Sequence, residues 1–207
     1  MPKLDKTAYE AAAESSAGGG ENRRMEPGVY ECIITGVQTE WETSQGTQKA
    51  EDKQCVRVIL DVADGEFAGE FGRDFYEGRD WMHALYMSWK PTALGLLKHT
   101  FAALDEANKG FDSMAAFEAD KWTLFVGKKC LVAWSGRERT NDRGYTNVNV
   151  RPDRFVKSTD KPRIMVELEE SGEKVTWEQY QELKAAPRTS TGSGSVQTAY
   201  ADEEIPF

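Results

Sequence analysis

The sequence predicts a mainly β domain of five short strands, with a helical insert between the third and the fourth strand. Three observations lead to this prediction. Runs rich in β-branched and aromatic residues recur between turn signals, the apolar period becomes helical after Pro91, and strand-like composition then returns. The domain is expected over residues 27–157. The preceding arm (1–26) is rich in alanine, serine and glycine and offers too little apolar surface to offset its ordering entropy.

The first three strands are predicted over residues 29–37, 53–62 and 66–76. The first follows a Pro-Gly pair, and the second alternates its apolar residues onto one face. Asp64-Gly65 is a hairpin signal that leads into the third strand. The segment between the first two strands is polar and is interpreted as a loop.

The helical insert is predicted to begin near Pro91, because apolar residues then recur at helical spacing (Leu94, Leu97, Phe101 and Leu104). A shorter helix is expected over 113–121. Two further strands are predicted over 128–135 and 145–150, joined by a polar turn. Aromatic residues around the insert are interpreted as core (Trp81, Tyr86 and Trp89), and so is Trp134. Five strands in this order, with the helix after the third, have the connectivity of an OB-fold barrel.

A small extension is predicted over residues 158–186, with a strand near 163–168 and a helix that begins after Thr176 as its N-cap. Residues 187–207 contain a Ser, Thr and Gly linker, predicted to be disordered, and end in an acidic tip. The tip residues are Asp202, Glu203, Glu204, Ile205, Pro206 and Phe207. They have the character of a short linear motif, in which an aromatic side chain and a carboxylate reach a pocket with a basic rim.

The distribution of charge is more informative than its total. The chain carries a formal charge of −9, which taken alone argues against a polyanion-binding protein, but residues 121–157 hold nine basic and three acidic residues, a local charge of +6. Three widely spaced cysteines argue against a disulfide framework, and the sequence has neither a membrane-spanning apolar run nor a signal peptide. A cytoplasmic protein is therefore expected.

The basic island predicts a surface that binds single-stranded nucleic acid. Arginines on the turn at 136–144 would grip phosphates, and the alternating residues that follow would offer a polar and aromatic face. Trp41 in the loop after the first strand would add a stacking ring, while Arg57 and Arg73 would point toward the groove. The candidate binding residues are Trp41, Arg57, Arg73, Lys128, Lys129, Arg137, Arg139, Arg143, Tyr145, Asn147, Asn149 and Arg151.

Two sequence features resemble known single-stranded DNA-binding proteins. The acidic tip is similar to the C-terminal tip of the bacterial family, with Glu203 and Glu204 where aspartates are usual. Residues 27–157 more closely resemble phage-encoded members, through Pro27-Gly28-Val29-Tyr30 and Trp89-Lys90-Pro91. The resemblance implies an OB-fold that coats single-stranded DNA without strict sequence preference. It also implies a tip that recruits replication, recombination and repair proteins in the cytoplasm of a bacterial host.

Other interpretations remain open at the level of sequence. One alternative is a strand-annealing or recombination mediator on a similar fold. The other is an adaptor barrel that binds no nucleic acid. Metal-dependent nuclease chemistry at the carboxylates Asp61, Asp64, Glu66 and Glu70 is disfavoured, because no lysine lies between Lys53 and Lys90 to complete the usual set. We expect neither enzymatic activity, nor a cofactor, nor a metal, and the oligomeric state is left open.

Overall fold

The computed structural model describes residues 24–72 and 76–185 of the chain. Most of the predicted N-terminal arm, the candidate residue Arg73, and the predicted linker with its acidic tip lie outside the described residues. The roles predicted for Arg73 and for the tip therefore remain predictions from sequence.

The described part of the chain is mainly β, with a longer helical segment between the fifth and the sixth strand. The strands are β1 (Gly28–Gln38), β2 (Glu40–Thr43), β3 (Gly46–Lys49), β4 (Cys55–Val62), β5 (Ala84–Ser88), β6 (Lys129–Thr140), β7 (Thr146–Val156), β8 (Met165–Glu167) and β9 (Lys174–Thr176). The helices are α1 (Ala50–Lys53), α2 (Leu94–Ala107), α3 (Ser113–Glu118) and α4 (Trp177–Ala185). Short 3₁₀ turns cover Glu70–Gly72, Asp80–Met82, Pro91–Ala93 and Trp122–Phe125.

The main sheet is antiparallel, in the order β5-β4-β1-β6-β7. β1 and β8 both pair with the same edge of β6, β1 with its first half and β8 with the residues just beyond. β8 is parallel to β6, and β9 pairs with the other edge of β8. β2 and β3 form a separate hairpin. Within the described residues no ladder joins β5 to β7, although these strands are in contact. The sheet is therefore open at this seam, where the sequence predicts a closed barrel.

The third strand is not where the sequence pattern predicts it. Residues 66–72 form turns, because Gly65 and Gly69 adopt φ values of +85° and +71°, and the Gly69 N–H donates to the Val62 carbonyl. Asp64-Gly65 therefore makes a turn without a hairpin. The strand that pairs with β4 on the edge away from β1 is β5, in a segment whose aromatic residues were interpreted as core around the helical insert. Among the strands of the main antiparallel sheet, three (β1, β4 and β5) precede the helices α2 and α3, and two (β6 and β7) follow them.

Two polar segments predicted as loops are largely strand. The segment after β1 folds into the β2–β3 hairpin, and β6 continues through the predicted turn as far as Thr140. The turn between β6 and β7 is reduced to residues 141–145, where the Asn141 side-chain oxygen accepts from the backbone N–H groups of Arg143 and Tyr145. Arg137 and Arg139 are consequently strand residues rather than loop residues.

The core lies between the sheet and α2. Alternating residues of β4 and β6 bury their side chains there, as predicted, together with Leu97, Phe101 and Leu104 of α2. Leu94, also predicted in this stripe, is half-exposed. Trp134 is fully buried, which confirms its assignment to the core, and Phe71 stacks on it with ring centroids 5.1 Å apart. The three cysteines are free and buried.

The extension packs against the far half of β6. The predicted helix is confirmed as α4, and its N-terminus is a capping box: Thr176 Oγ1 accepts from Gln179 N, and Gln179 Oε1 accepts from Thr176 N. A Cβ at Gly136 of β6 would lie 3.2 Å from Val166 Cγ2 of the extension and 2.4 Å from Val148 Cγ1 of β7, so glycine permits both neighbours to pack closely there. The role of residues 158–185, unknown from sequence, is thus to cover β6 beyond the end of β1.

The buried carboxylate of Glu138 anchors this extension. It accepts hydrogen bonds from Lys184 Nζ at 2.7 Å, from the Glu169 N–H at 3.1 Å and from the Tyr180 hydroxyl at 3.2 Å. Burial opposes ionisation, but these hydrogen bonds outweigh it and hold the pKa of Glu138 below its usual value. The carboxylate is therefore charged at neutral pH and joins β6 to α4 and to the segment after β8.

Because His83 is buried, we expect the protein to lose stability in mild acid. His83 stacks on Phe71 at 4.8 Å, and its Nδ1 has no hydrogen-bond partner among the described residues. Desolvation lowers the pKa of His83 below the ordinary 6.5. The unfolded chain therefore takes up the proton first, so the stability contributed by neutral His83 is complete above about pH 6.5 and is lost as the pH falls. Urea unfolding at pH 7.5 and pH 5.5 measures this loss.

The variant His83→Phe, which keeps an aromatic ring in the stack, is expected to lose less stability between these two pH values than the parent chain. His99→Gln is the matched control, because His99 is the other histidine of the sequence and lies partly exposed beside Asp160. An equal pH dependence in His83→Phe and in the parent would rule out His83 as the source.

Candidate functional site

A buried arginine between two aromatic rings lies on the face of β4 and β5 that points away from the core. Arg57 and Tyr86 are direct cross-strand partners, and Trp41 reaches them from β2. The Arg57 guanidinium carbon lies 5.9 Å from the Trp41 ring centre and 6.0 Å from that of Tyr86. Arg57 and Trp41 are only 5% and 7% exposed, whereas Tyr86 is 51% exposed. We call these three residues the Arg57 cluster, and Tyr86 forms its outer surface.

The guanidinium of this cluster keeps unused donors. Arg57 Nε and Nη2 are buried without a hydrogen-bond partner among the described residues, and so is Oε1 of Gln38, its cross-strand partner on β1. The Gln38 amide donates instead to Asp80 Oδ2 at 2.5 Å. Because the guanidinium stays charged, the adjoining π-faces of Trp41 and Tyr86 stabilise it in place of a carboxylate. Its charge is thus not cancelled by a direct ion pair within the described chain.

A second aromatic ring beside an arginine lies across the seam. Trp81, in the 3₁₀ turn just before β5, is 54% exposed, and the guanidinium carbon of Arg151 on β7 lies 5.6 Å from its ring centre. β5 and β7 are in contact at this seam. Trp81 and Tyr86 were both interpreted as core in the sequence, and that interpretation was wrong. Each instead presents about half of its surface to solvent next to a guanidinium.

The β6–β7 hairpin places three of the predicted basic residues on one face. Arg137 pairs with Asn149, Arg139 with Asn147, and Arg151 with Ser135, so these side chains project to the same side. The extension partly neutralises them: Arg137 lies 2.8 Å from Glu167 and Arg139 lies 3.4 Å from Glu169. Asn147 accepts a hydrogen bond from Arg24. Part of the predicted cluster is therefore assembled, and two of its arginines are paired with glutamates.

The remaining predicted residues lie elsewhere. Lys128 and Lys129 are at the opposite end of β6, where Lys128 Nζ sits 4.6 Å from the Phe111 ring centre and Lys129 Nζ sits 2.7 Å from Glu31. The hydrogen bond with Glu31 raises the pKa of Lys129. Arg143 and Tyr145 occupy the exposed β6–β7 turn. The structure does not bring Lys128 and Lys129 together with the hairpin arginines.

Sequence reasoning missed Trp81 and Tyr86 as surface residues. The signal that would have found Tyr86 is the alternation in β5, where Leu85 and Met87 are buried and Tyr86 between them is exposed. It also missed Lys53 and Lys90, which flank the Arg57 cluster and line a cavity beside it.

The carboxylates weighed as a metal site have structural roles or lie apart. Asp61 Oδ1 accepts the backbone N–H groups of Val62 and Phe71, and so holds the turn after β4. Across residues 24–72 and 76–185 no group of three or more histidine, cysteine or acidic side chains is arranged to hold a metal ion.

No helix in the described part of the chain is long and apolar enough to cross a membrane. No protein-family model matches the chain, and no curated protein matches it.

Proposed function

We propose that this chain is a single-stranded DNA-binding protein of the phage type, which coats exposed strands without strict sequence preference. The observation that carries the proposal is the pair of half-exposed aromatic rings, Tyr86 and Trp81, each lying against an arginine. Sequence-tolerant binding of single strands needs rings on which bases stack and cations that contact the backbone. Both are present at Tyr86 beside Arg57 and at Trp81 beside Arg151.

The strand order supports an OB-fold as the framework. Counting β1, β4, β5, β6 and β7 as its five strands gives the antiparallel order 3-2-1-4-5 with the helices between strands 3 and 4, and strands 3 and 5 meet at the seam. Oligonucleotides bind OB-folds on strands 2 and 3, between the loop after strand 1 and the loop after strand 4. In this chain those elements carry the Arg57 cluster, the β2–β3 hairpin and the turn at 141–145.

The proposal extends to recruitment of replication, recombination or repair proteins by the acidic tip. This part rests on the sequence of residues 202–207, which lie outside the described residues. In this proposal the tip binds protein partners and the basic β6–β7 hairpin binds DNA.

Titration of the full chain with fluorescent oligo-dT at several salt concentrations tests the DNA proposal. We expect saturable binding that weakens as salt rises, with a slope of log affinity against log salt of about −0.7 for each phosphate contacted. The tryptophan fluorescence of the chain should also change, because Trp81 is exposed at the proposed surface. Absence of binding at low salt would favour the adaptor interpretation. Accelerated pairing of complementary strands would favour the annealing mediator.

Neutralising two glutamates of the extension is expected to strengthen binding. With Glu167→Gln and Glu169→Gln, Arg137 and Arg139 lose the carboxylates that pair with them and become available to phosphates. Affinity for oligo-dT at low salt should rise several-fold, and the salt slope should steepen by about 1.4, the value for two added phosphate contacts on a single strand. The measurement is the same titration, repeated from low to moderate salt.

The matched control is Glu170→Gln with Glu173→Gln, which removes the same charge from exposed positions of the same extension. The control should leave the slope unchanged. Equal changes in both double variants would mean that only the net charge matters, and that Arg137 and Arg139 do not contact DNA.

A further inference from the structure

A cavity of about 270 Å³ opens between the β2–β3 hairpin and the strands β4 and β5. The rings of Trp41 and Tyr86 form one wall, in an edge-to-face arrangement with centroids 6.0 Å apart. Gln45, Gln48, Lys53 and Lys90 also line it, together with Thr43, Ser44 and Cys55. The cavity therefore combines an aromatic wall, hydrogen-bonding amides and positive charge.

We propose that this cavity binds one unstacked nucleobase of the bound strand and gives the protein a moderate base preference at that single position. The proposal rests on the proposed function and deepens it, because non-specific coating alone needs no cavity beside the aromatic rings. Single-stranded nucleic acids are read in this way, by a splayed base that meets an aromatic side chain and hydrogen bonds along its edge.

The two glutamines supply the groups that would read the base edge. Gln45 makes no side-chain hydrogen bond with the described residues, so its amide offers both a donor and an acceptor. The Gln48 amide nitrogen already donates to the Gly46 carbonyl at 3.1 Å, which orients its carbonyl oxygen as an acceptor. An amide pairs with a base edge that presents an adjacent acceptor and donor, and it disfavours an edge that presents two acceptors. Discrimination among bases follows from this chemistry.

The charges around the cavity favour a nucleotide over a neutral ligand. Lys53 and Lys90 are exposed at the rim, and neither forms an ion pair with a described residue. By contrast, Lys129, Arg137 and Arg139 are each paired with a glutamate. The unpaired ammonium groups are thus free to contact the phosphates on either side of an inserted base, while Arg57 lies behind the aromatic wall.

The test compares dT oligonucleotides of one length with versions that carry a single central dA, dC or dG. For the full chain we expect the strongest and the weakest of these four oligonucleotides to differ about fivefold or more in affinity. In the double variant Gln45→Ala, Gln48→Ala this spread should fall below about twofold, while the weakest oligonucleotide keeps its affinity. Gln181→Ala, an exposed glutamine of α4, is the control and should keep the spread.

The outcomes separate the two proposals. If the full chain binds none of the four oligonucleotides, the proposed function itself fails. If it binds all four equally with a normal salt dependence, or if the double variant keeps the full spread, DNA binding stands and the base-reading cavity is overturned.

Discussion

Tyr86→Ala is expected to weaken binding of oligo-dT by about 5- to 150-fold, the equivalent of the roughly 1–3 kcal/mol that one base–aromatic stack contributes. Tyr86 is the exposed member of the Arg57 cluster, so its ring is the part that an incoming base meets first. The same ring also lies over the Arg57 guanidinium and partly stabilises it. Fluorescence anisotropy of a labelled oligonucleotide at one fixed salt concentration measures the change in Kd.

Two further variants distinguish the loss of base stacking from a general loss of structure. Tyr86→Phe keeps the ring and should bind within a few-fold of the parent chain. Leu94→Ala removes an equally exposed apolar side chain from the start of α2 and should leave binding unchanged. If Tyr86→Ala binds as tightly as the parent while its unfolding transition is unaltered, the stacking surface lies elsewhere.

The second large effect concerns stability. Trp134→Ala should lower the free energy of unfolding by about 3–5 kcal/mol, because it empties a fully buried site at the centre of the core. The Phe71 ring, which lies parallel to Trp134 within 3°, would lose its partner, and the stack that continues to His83 would loosen. A loss of this size is a large part of the 5–15 kcal/mol typical of a folded domain. Urea unfolding at pH 7.5 measures it.

Trp81→Ala is the matched control, since it removes the same side chain from a half-exposed position. It should lower the free energy of unfolding by much less than Trp134→Ala does, because substitutions of exposed residues usually have small effects on stability. Comparable losses for the two variants would contradict the central role of Trp134 in packing. Trp134→Phe, which retains an aromatic ring, should fall between them.

The sequence predicts the fold best where one face of a strand is continuously apolar. β1, β4 and the first half of β6 alternate in this way, and each occurs within a few residues of its predicted range. The pattern fails at residues 66–72, because glycines at positive φ turn the chain before the aromatic residues can form a ladder. It fails again in β5, where the exposed Tyr86 was interpreted as core around the helical insert.

The candidate site is only partly visible in the sequence, for a physical reason. The composition of 121–157 identifies a basic region, and the alternation of the last strand correctly places Asn147 and Asn149 on one face. Whether a cation is free depends on distant partners, as the pairs Arg137–Glu167 and Arg139–Glu169 illustrate. Such pairs form only after β8 docks on β6, so no local pattern encodes them.

The buried carboxylate of Glu138 has a consequence for how the polypeptide can be divided. A fragment that stops at residue 157 would lose the three groups that hydrogen-bond to this carboxylate, from Lys184, Tyr180 and Glu169, and would uncover the part of β6 on which the fully buried Val166 packs. The loss of buried apolar contact and of these hydrogen bonds is destabilising. We therefore expect the shortest autonomous unit to extend through α4 to Ala185, and the change in charge near residue 157 to mark a boundary of composition rather than the end of a folding unit.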